Sequence, residues 1–309
     1  MDPLSEVLAL LDVRAATPSR LEAGGTWALR FNGNQHVKLG AVLSGRCWVA
    51  AEGGEPVSLE AGDCYLLRSG SPYEAASEPG LEPADGGDVF AGVWPDTVYY
   101  QVGPGDQDRC VLVGGALSFD ETLGALLVGG LPPCVRIAAD SPRARVLQPI
   151  LQLLNEETAA DSPGSVAMRV QLTQIVFVQA MRTLLEVGDA GSGWLAALSD
   201  DCVGKALALI HDEPARRWTV AELAAAAGLS RSAFAQKFRA MVGLPPLDYV
   251  ARWRIRRAGH ELRSSDRTVA SVAADFGYGS ESAFSHAFKR ITGEPPTGYR
   301  HRAPTYELP

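Results

Sequence analysis

At 309 residues, with 46% apolar and 21% charged side chains, the chain is too long for one ordinary domain and too apolar to be disordered. A net charge of −8 argues against a uniformly basic nucleic-acid binder, but the total conceals a division. From Asp201 onward 16 Lys and Arg stand against 11 Asp and Glu, whereas the first 200 residues hold 12 against 25. The acidic start, Met1 to Glu6, lacks the pattern of a signal peptide, and no apolar run approaches the roughly 20 residues that cross a bilayer. Cys47, Cys64, Cys110, Cys134 and Cys202 are scattered, without a Cys-x-x-Cys pair, which fits reduced thiols and a cytoplasmic location with no membrane attachment.

Up to about Gly130 the chain reads as short strands. Trp27–Phe31, Arg46–Ala50, Pro56–Leu59 and Cys64–Leu67 are divided by turns at Asn32-Gly33-Asn34, Glu52-Gly53-Gly54-Glu55, Ala61-Gly62-Asp63 and Ser69-Gly70-Ser71-Pro72. Such spacing predicts an antiparallel sandwich or barrel. From Ser141 to Val187 the period becomes helical, with one stripe at Val146, Ile150, Leu153 and Leu154 and another at Val170, Ile175, Val178, Met181 and Leu185. This helical pair, 140–187, is either packed core or a homodimer face. The Gly- and Ser-rich stretch after it predicts a linker over 188–200.

Next comes an internal repeat. Trp218-Thr219-Val220-Ala221-Glu222-Leu223-Ala224-Ala225 recurs as Arg267-Thr268-Val269-Ala270-Ser271-Val272-Ala273-Ala274. Ser232-Ala233-Phe234, Phe238, Gly243-x-Pro245-Pro246 and Tyr249 recur as Ser282-Ala283-Phe284, Phe288, Gly293-x-Pro295-Pro296 and Tyr299. Each copy reads as helix, turn, helix over 219–241 and 268–291. Thr219 or Thr268 caps the first helix, Gly228 or Gly277 makes the turn, and Ser230 or Ser280 caps the second. Phe234/Phe238 and Phe284/Phe288 lie four apart, so both rings of each pair point inward. A longer helix over Leu247–Leu262, bearing Arg252, Arg254, Arg256 and Arg257, separates the copies. Two such units in one chain suit successive major-groove faces of double-stranded DNA, about 34 Å apart.

Residues 201–302 resemble the DNA-binding domain of the AraC/XylS family of transcription regulators. The resemblance is sharpest at Phe276-Gly277-Tyr278-Gly279-Ser280-Glu281-Ser282-Ala283-Phe284 and Phe288-Lys289-Arg290-Ile291-Thr292-Gly293-Glu294-Pro295-Pro296. It implies base contacts from Arg231, Ser232, Ala235 and Gln236 in the first unit and from Glu281, Ser282, Ser285 and His286 in the second. Lys237, Arg239, Arg252, Lys289 and Arg290 are candidates for phosphate. A tail, 303–309, follows.

The first 139 residues resemble the cupin-like sensor domain often attached to this module, on Ala41 to Trp48 and Leu59 to Leu67. Metal-binding cupins need clustered histidines and a carboxylate, but the matching positions hold Gly40, Ser69 and Tyr73, and His36 has no partner nearby in sequence. No metal, no cofactor and no enzymatic activity are therefore expected. A metal-free barrel can still hold a small-molecule effector, with Trp27, Arg30, Trp48, Tyr65, Tyr73 and Trp94 as pocket candidates and Phe31 and Tyr99 as further aromatic wall. The expected architecture is an α+β multidomain protein: an N-terminal cupin-like β-barrel with a helical pair, then an all-α domain of two helix-turn-helix units. The expected function is a ligand-responsive activator that engages RNA polymerase. A cupin enzyme fused to a DNA-binding module and a regulator controlled by a protein partner remain alternatives.

Overall fold

The computed structural model describes residues 2–11, 14–15, 18–32, 37–68, 72–93, 96–104, 109–119, 121–141, 144–159, 162–187 and 192–301. His36, Ser69 and Trp94 lie outside these. The chain divides into two compact units: Val13–Gly191, and Met1–Asp12 together with Ser192–Pro309. The first helix, α1 (Pro3–Leu10), belongs to the second unit.

The first unit is sheet-rich. Its strands are β1 (Arg14–Ala15), β2 (Ser19–Gly25), β3 (Ala28–Phe31), β4 (Val37–Ser44), β5 (Arg46–Ala51), β6 (Val57–Glu60), β7 (Cys64–Leu67), β8 (Tyr73–Ala76), β9 (Ala84–Asp85), β10 (Thr97–Val102), β11 (Cys110–Ser118) and β12 (Cys134–Ile137), with α2 (Gly86–Phe90) after β9 and α3 (Glu121–Val128) after β11. They form a seven-stranded sheet in the order β10-β2-β11-β4-β7-β12, with β1 on β11, and a five-stranded sheet in the order β6-β5-β8-β3-β9. Among the described residues these are two separate sheets, not the closed ring of a barrel.

Gly45 turns the chain from one sheet into the other. Its φ of 75° is left-handed, and a Cβ there would fall 2.4 Å from the Arg109 carbonyl oxygen, so only glycine fits. Strand alternation then sets the shared core: Leu21, Ala23, Val42, Tyr65, Leu67, Cys110 and Leu112 from the larger sheet meet Leu29, Cys47, Val49, Ala51, Leu59 and Ala75 from the smaller. The Gly62-Asp63 turn is held by the buried Asp63 carboxylate, which accepts from Glu60 N–H (2.9 Å), Ala139 N–H (2.8 Å) and Arg136 Nε (2.8 Å).

Helices α4 (Ala144–Ala159) and α5 (Ser165–Val187) pack on each other and on the outer face of the larger sheet. The inward row of α4 is Leu147, Leu151 and Leu154, while Val146 and Leu153 are exposed and Ile150 is half-buried. The expected stripe is thus displaced by one residue, because α4 carries apolar side chains on two adjacent faces. On α5 Met181 is buried, Val170, Val178 and Leu185 are half-buried, and Ile175 points outward.

The second unit is helical: α6 (Trp194–Leu198), α7 (Val203–Asp212), α8 (Val220–Ala226), α9 (Arg231–Val242), α10 (Pro246–Ser264), α11 (Val269–Asp275), α12 (Glu281–Thr292) and α13 (Pro296–His301). Two expected boundaries move. The end of the expected linker is a buried helix, since Trp194, Leu195 and Ala197 of α6 are in the core. Residues 1–12 also leave the sheet-rich unit. Asp2 caps α1 by accepting from Ser5 N–H, Pro3 occupies its first turn, and Leu4, Val7, Leu10 and Leu11 are buried. This helix packs on α7 and α10.

Candidate nucleic-acid interface

The repeat in the sequence is a repeat in three dimensions. Thr219 Oγ1 accepts from Glu222 N–H while the Glu222 carboxylate accepts from Thr219 N–H at 2.9 Å, a reciprocal cap on α8. Thr268 caps α11 by accepting from Ser271 N–H (3.1 Å). Ser230 and Ser280 cap α9 and α12 by accepting from Ala233 and Ala283 N–H. Between the helices of each pair Gly228 and Gly277 take φ of 68° and 75°. The inward rings match too. Phe234–Phe238 and Phe284–Phe288 centroids are 5.5 and 5.4 Å apart, and Tyr249 and Tyr299 meet Phe238 and Phe288 edge-on.

With both phenylalanines of each pair buried, the opposite face of each second helix is left to solvent. Residues 231–240 and 281–290 share one sequence of buried and exposed positions. Arg231, Ser232 and Gln236 on α9 and Glu281, Ser282 and His286 on α12 are exposed, and Ala235 and Ser285 are half-buried beside them. Two superposable frames therefore present different chemistry.

The phosphate candidates divide. Arg239, Arg252, Lys289 and Arg290 are exposed and form no ion pair with a described residue. Lys237 is held by Asp200 at 2.7 Å, and that carboxylate also accepts from the N–H groups of Cys202 and Val203 at the start of α7. Other arginines of α10 brace the unit. Arg254 donates to the carbonyls of Pro214 and Arg216 (both 2.8 Å), and Arg257 donates to Glu6 (2.8 Å).

Sequence reasoning missed a buried relay around that last contact. Trp194 Nε1 donates to Tyr249 Oη (2.8 Å), Tyr249 Oη lies 2.7 Å from His211 Nε2, and His211 Nδ1 lies 3.0 Å from Glu6. One proton arrangement satisfies every group: the tyrosine donates to a neutral imidazole, and its Nδ1–H donates to the Glu6 carboxylate that Arg257 also holds. Burial and the nearby Arg257 push the His211 pKa down to about 3, and burial raises that of Glu6. The local signal was Asp2-Pro3, a helix-start signature, but nothing near it indicated which helices it would join.

In the sheet-rich unit, Trp27, Tyr65 and Tyr73 belong to the core or pack against it, and Phe31 stacks on Tyr73 with centroids 4.8 Å apart. Arg30 and Trp48 do not join them. Strand parity turns Arg30 outward to Glu74 (3.3 Å) and Glu52 (3.7 Å), and sets Trp48 on the face of β5 opposite Cys47 and Val49. Tyr99 is likewise exposed. Among the described residues no group of three His, Cys, Asp or Glu side chains is placed to hold a metal ion. No helix among them is long and apolar enough to cross a membrane.

Paired helix-turn-helix units with capped, solvent-facing second helices define a DNA-binding regulator. The Cupin family model matches residues 2–186, and a helix-turn-helix domain model matches 223–302. A putative AraC-like transcription regulator of Streptomyces lividans is 43% identical over 302 residues, covering 97% of this chain and 98% of its own length. One from Streptomyces antibioticus is 41% identical, with the same coverage. The regulator AlkR of Acinetobacter baylyi is 28% identical across 98% of this chain and all of its own. The chain belongs to the AraC family: it is a sequence-specific DNA-binding transcription regulator with a cupin front half, and not an enzyme.

Proposed function

We propose that this regulator is ligand-responsive and activates transcription. An effector held between the sheets of the cupin-like unit, acting as the walls of a barrel, biases DNA binding or dimerisation, and the DNA-bound form contacts RNA polymerase in the cytoplasm. The observation that carries the DNA half is the pair of matched helices with unlike outward faces. Arg231 and Gln236 suit guanine or phosphate and adenine, Ala235 suits a thymine methyl, and Glu281 suits a cytosine amine, with His286, Ser282 and Ser285 beside it. The two units then read different half-sites in direct repeat.

Fluorescence anisotropy on randomised direct-repeat DNA, selected and sequenced, tests this. Gln236→Ala should relax preference in one half-site and His286→Ala in the other, each costing about 1–3 kcal/mol at the altered base. Loss of preference in the same half-site from both variants overturns the assignment.

The dimer reading has its own support. Val146, Leu153, Val166, Met168 and Ile175 of the helical pair are 37 to 51% exposed, large apolar side chains that the packing of these two helices leaves on the surface. Sedimentation velocity should show a dimer that Val146→Glu and Ile175→Glu convert to monomer. A wild-type protein that stays monomeric at high micromolar concentration and on DNA rules this out.

A further inference from the structure

Lys38 is the single lysine in the first 200 residues, among eleven arginines. It lies on β4 in register with Leu67 of β7 and Ala116 of β11, and its parity with Val42 turns it toward the space between the sheets. It makes no hydrogen bond or ion pair with a described residue, and burial lowers its pKa. An ammonium ion in such a place is costly unless something pairs with it.

The neighbouring polar groups on this face are also donors. Two residues along β4, about 7 Å of strand, Gly40 and its pair Gly114 leave the sheet bare, and the Tyr65 ring lies across them. A Cβ on Gly40 would fall 2.3 Å from that ring. The Tyr65 hydroxyl thus lies over β4 near Gly114, on the same face as Lys38. Tyr73 of β8 is close enough to Tyr65 to influence its ionisation, and burial raises both phenols, which remain protonated donors. Neither hydroxyl bonds to a described residue. The surroundings are apolar: Leu67 faces Lys38, and Phe31, stacked on Tyr73, meets Phe90 at 5.6 Å.

We propose that Lys38, Tyr65 and Tyr73 form the anionic subsite of the effector pocket, and that the effector is a small organic monocarboxylic acid. One carboxylate oxygen pairs with the ammonium, the phenols donate to the remaining lone pairs, and the apolar body lies against Phe31, Leu67 and Phe90. A single fixed positive charge in apolar surroundings matches one negative charge and leaves the second charge of a phosphate monoester uncompensated. This assignment rests on the effector-sensing reading and adds its chemistry.

The test is reductive methylation of the full-length protein with formaldehyde and cyanoborohydride, read lysine by lysine by mass spectrometry, with Lys205, Lys237 and Lys289 as internal controls. Probes are millimolar monocarboxylates from benzoate to octanoate, each against its amide, and inorganic phosphate. At least one carboxylate should protect Lys38 several-fold and leave the controls unchanged, while its amide and phosphate do not. Lys38→Met should weaken that ligand at least about tenfold in calorimetry. Tyr65→Phe, which keeps the ring over Gly40, should weaken it by a smaller factor. Protection by no carboxylate, or equal binding of acid and amide, overturns the subsite. A carboxylate that protects Lys38 without changing DNA anisotropy leaves the subsite standing and removes the sensing role. A neutral ligand that shifts anisotropy equally in wild type and Lys38→Met does the reverse.

Discussion

The buried relay makes the stability of the helical unit dependent on pH, through a histidine that works by staying neutral. Its folded-state pKa of about 3 lies below the ordinary 6.5, so between these values the unfolded chain binds a proton that the folded chain refuses. Stability is therefore full above the unfolded value and falls as pH drops below it. Lowering pH from 7.5 to 5 should cost about 2 kcal/mol through this group, roughly a thirtyfold change in the opening equilibrium. Arg257, held against Glu6, opposes imidazole protonation, and Asp2 favours it. Glu6, with its pKa raised, takes up a proton more readily when folded and gives back part of the loss toward the acid end. Amide exchange corrected for intrinsic rates should show protection in α7 and α10 falling between these pH values, more steeply than in β4 and β11. His211→Asn should start less protected at pH 7.5 and vary little with pH. Equal pH dependence in wild type and His211→Asn would refute the reasoning.

Other perturbations separate features of the two units. Gly277→Ala should lower the melting temperature more than Gly228→Ala: both turns need positive φ, but a Cβ at 277 also falls 2.4 Å from the Ala215 carbonyl oxygen, while that at 228 meets open space. In salt titrations of DNA affinity, Lys289→Ala and Arg290→Ala should each reduce the log–log slope by about 1. Lys237→Ala should reduce it less, because Asp200 already holds that ammonium. Asp63→Asn should destabilise the sheet-rich unit by about 2 kcal/mol in urea, since the buried carboxylate accepts from Arg136 and two backbone N–H groups.

What the sequence disclosed depended on the range of the forces involved. The helix-turn-helix pair was legible because its determinants are local: a hydroxyl at each cap, a glycine in each turn and two rings four residues apart. Copying the set twice removed ambiguity. Arg30 and Trp48 were placed in the pocket because aromatic and cationic character can be read from a strand, but its inward parity is set by the partner strand. The α4 stripe was displaced because Val146, Ile150 and Leu153 are as apolar as Leu147, Leu151 and Leu154, and only the sheet beneath selects between the two rows. The destination of α1 was out of reach, since Glu6 meets His211 and Arg257 across more than 200 residues of chain. The unlike outward faces of α9 and α12 were readable for the converse reason, being whatever the buried rings leave over.

That first helix also bears on the protein's manufacture. Leu4, Val7, Leu10 and Leu11 are made well before α10, on which they come to rest and which is completed only near residue 264. At roughly 5–20 residues per second the nascent chain carries this uncovered apolar segment for on the order of 13 to 50 seconds, while the whole sheet-rich unit is synthesised. A C-terminal fragment starting at Ser192, the natural choice for isolating the DNA-binding half, lacks the segment altogether. It leaves the imidazole of His211 without its acceptor and part of its own interior open to water.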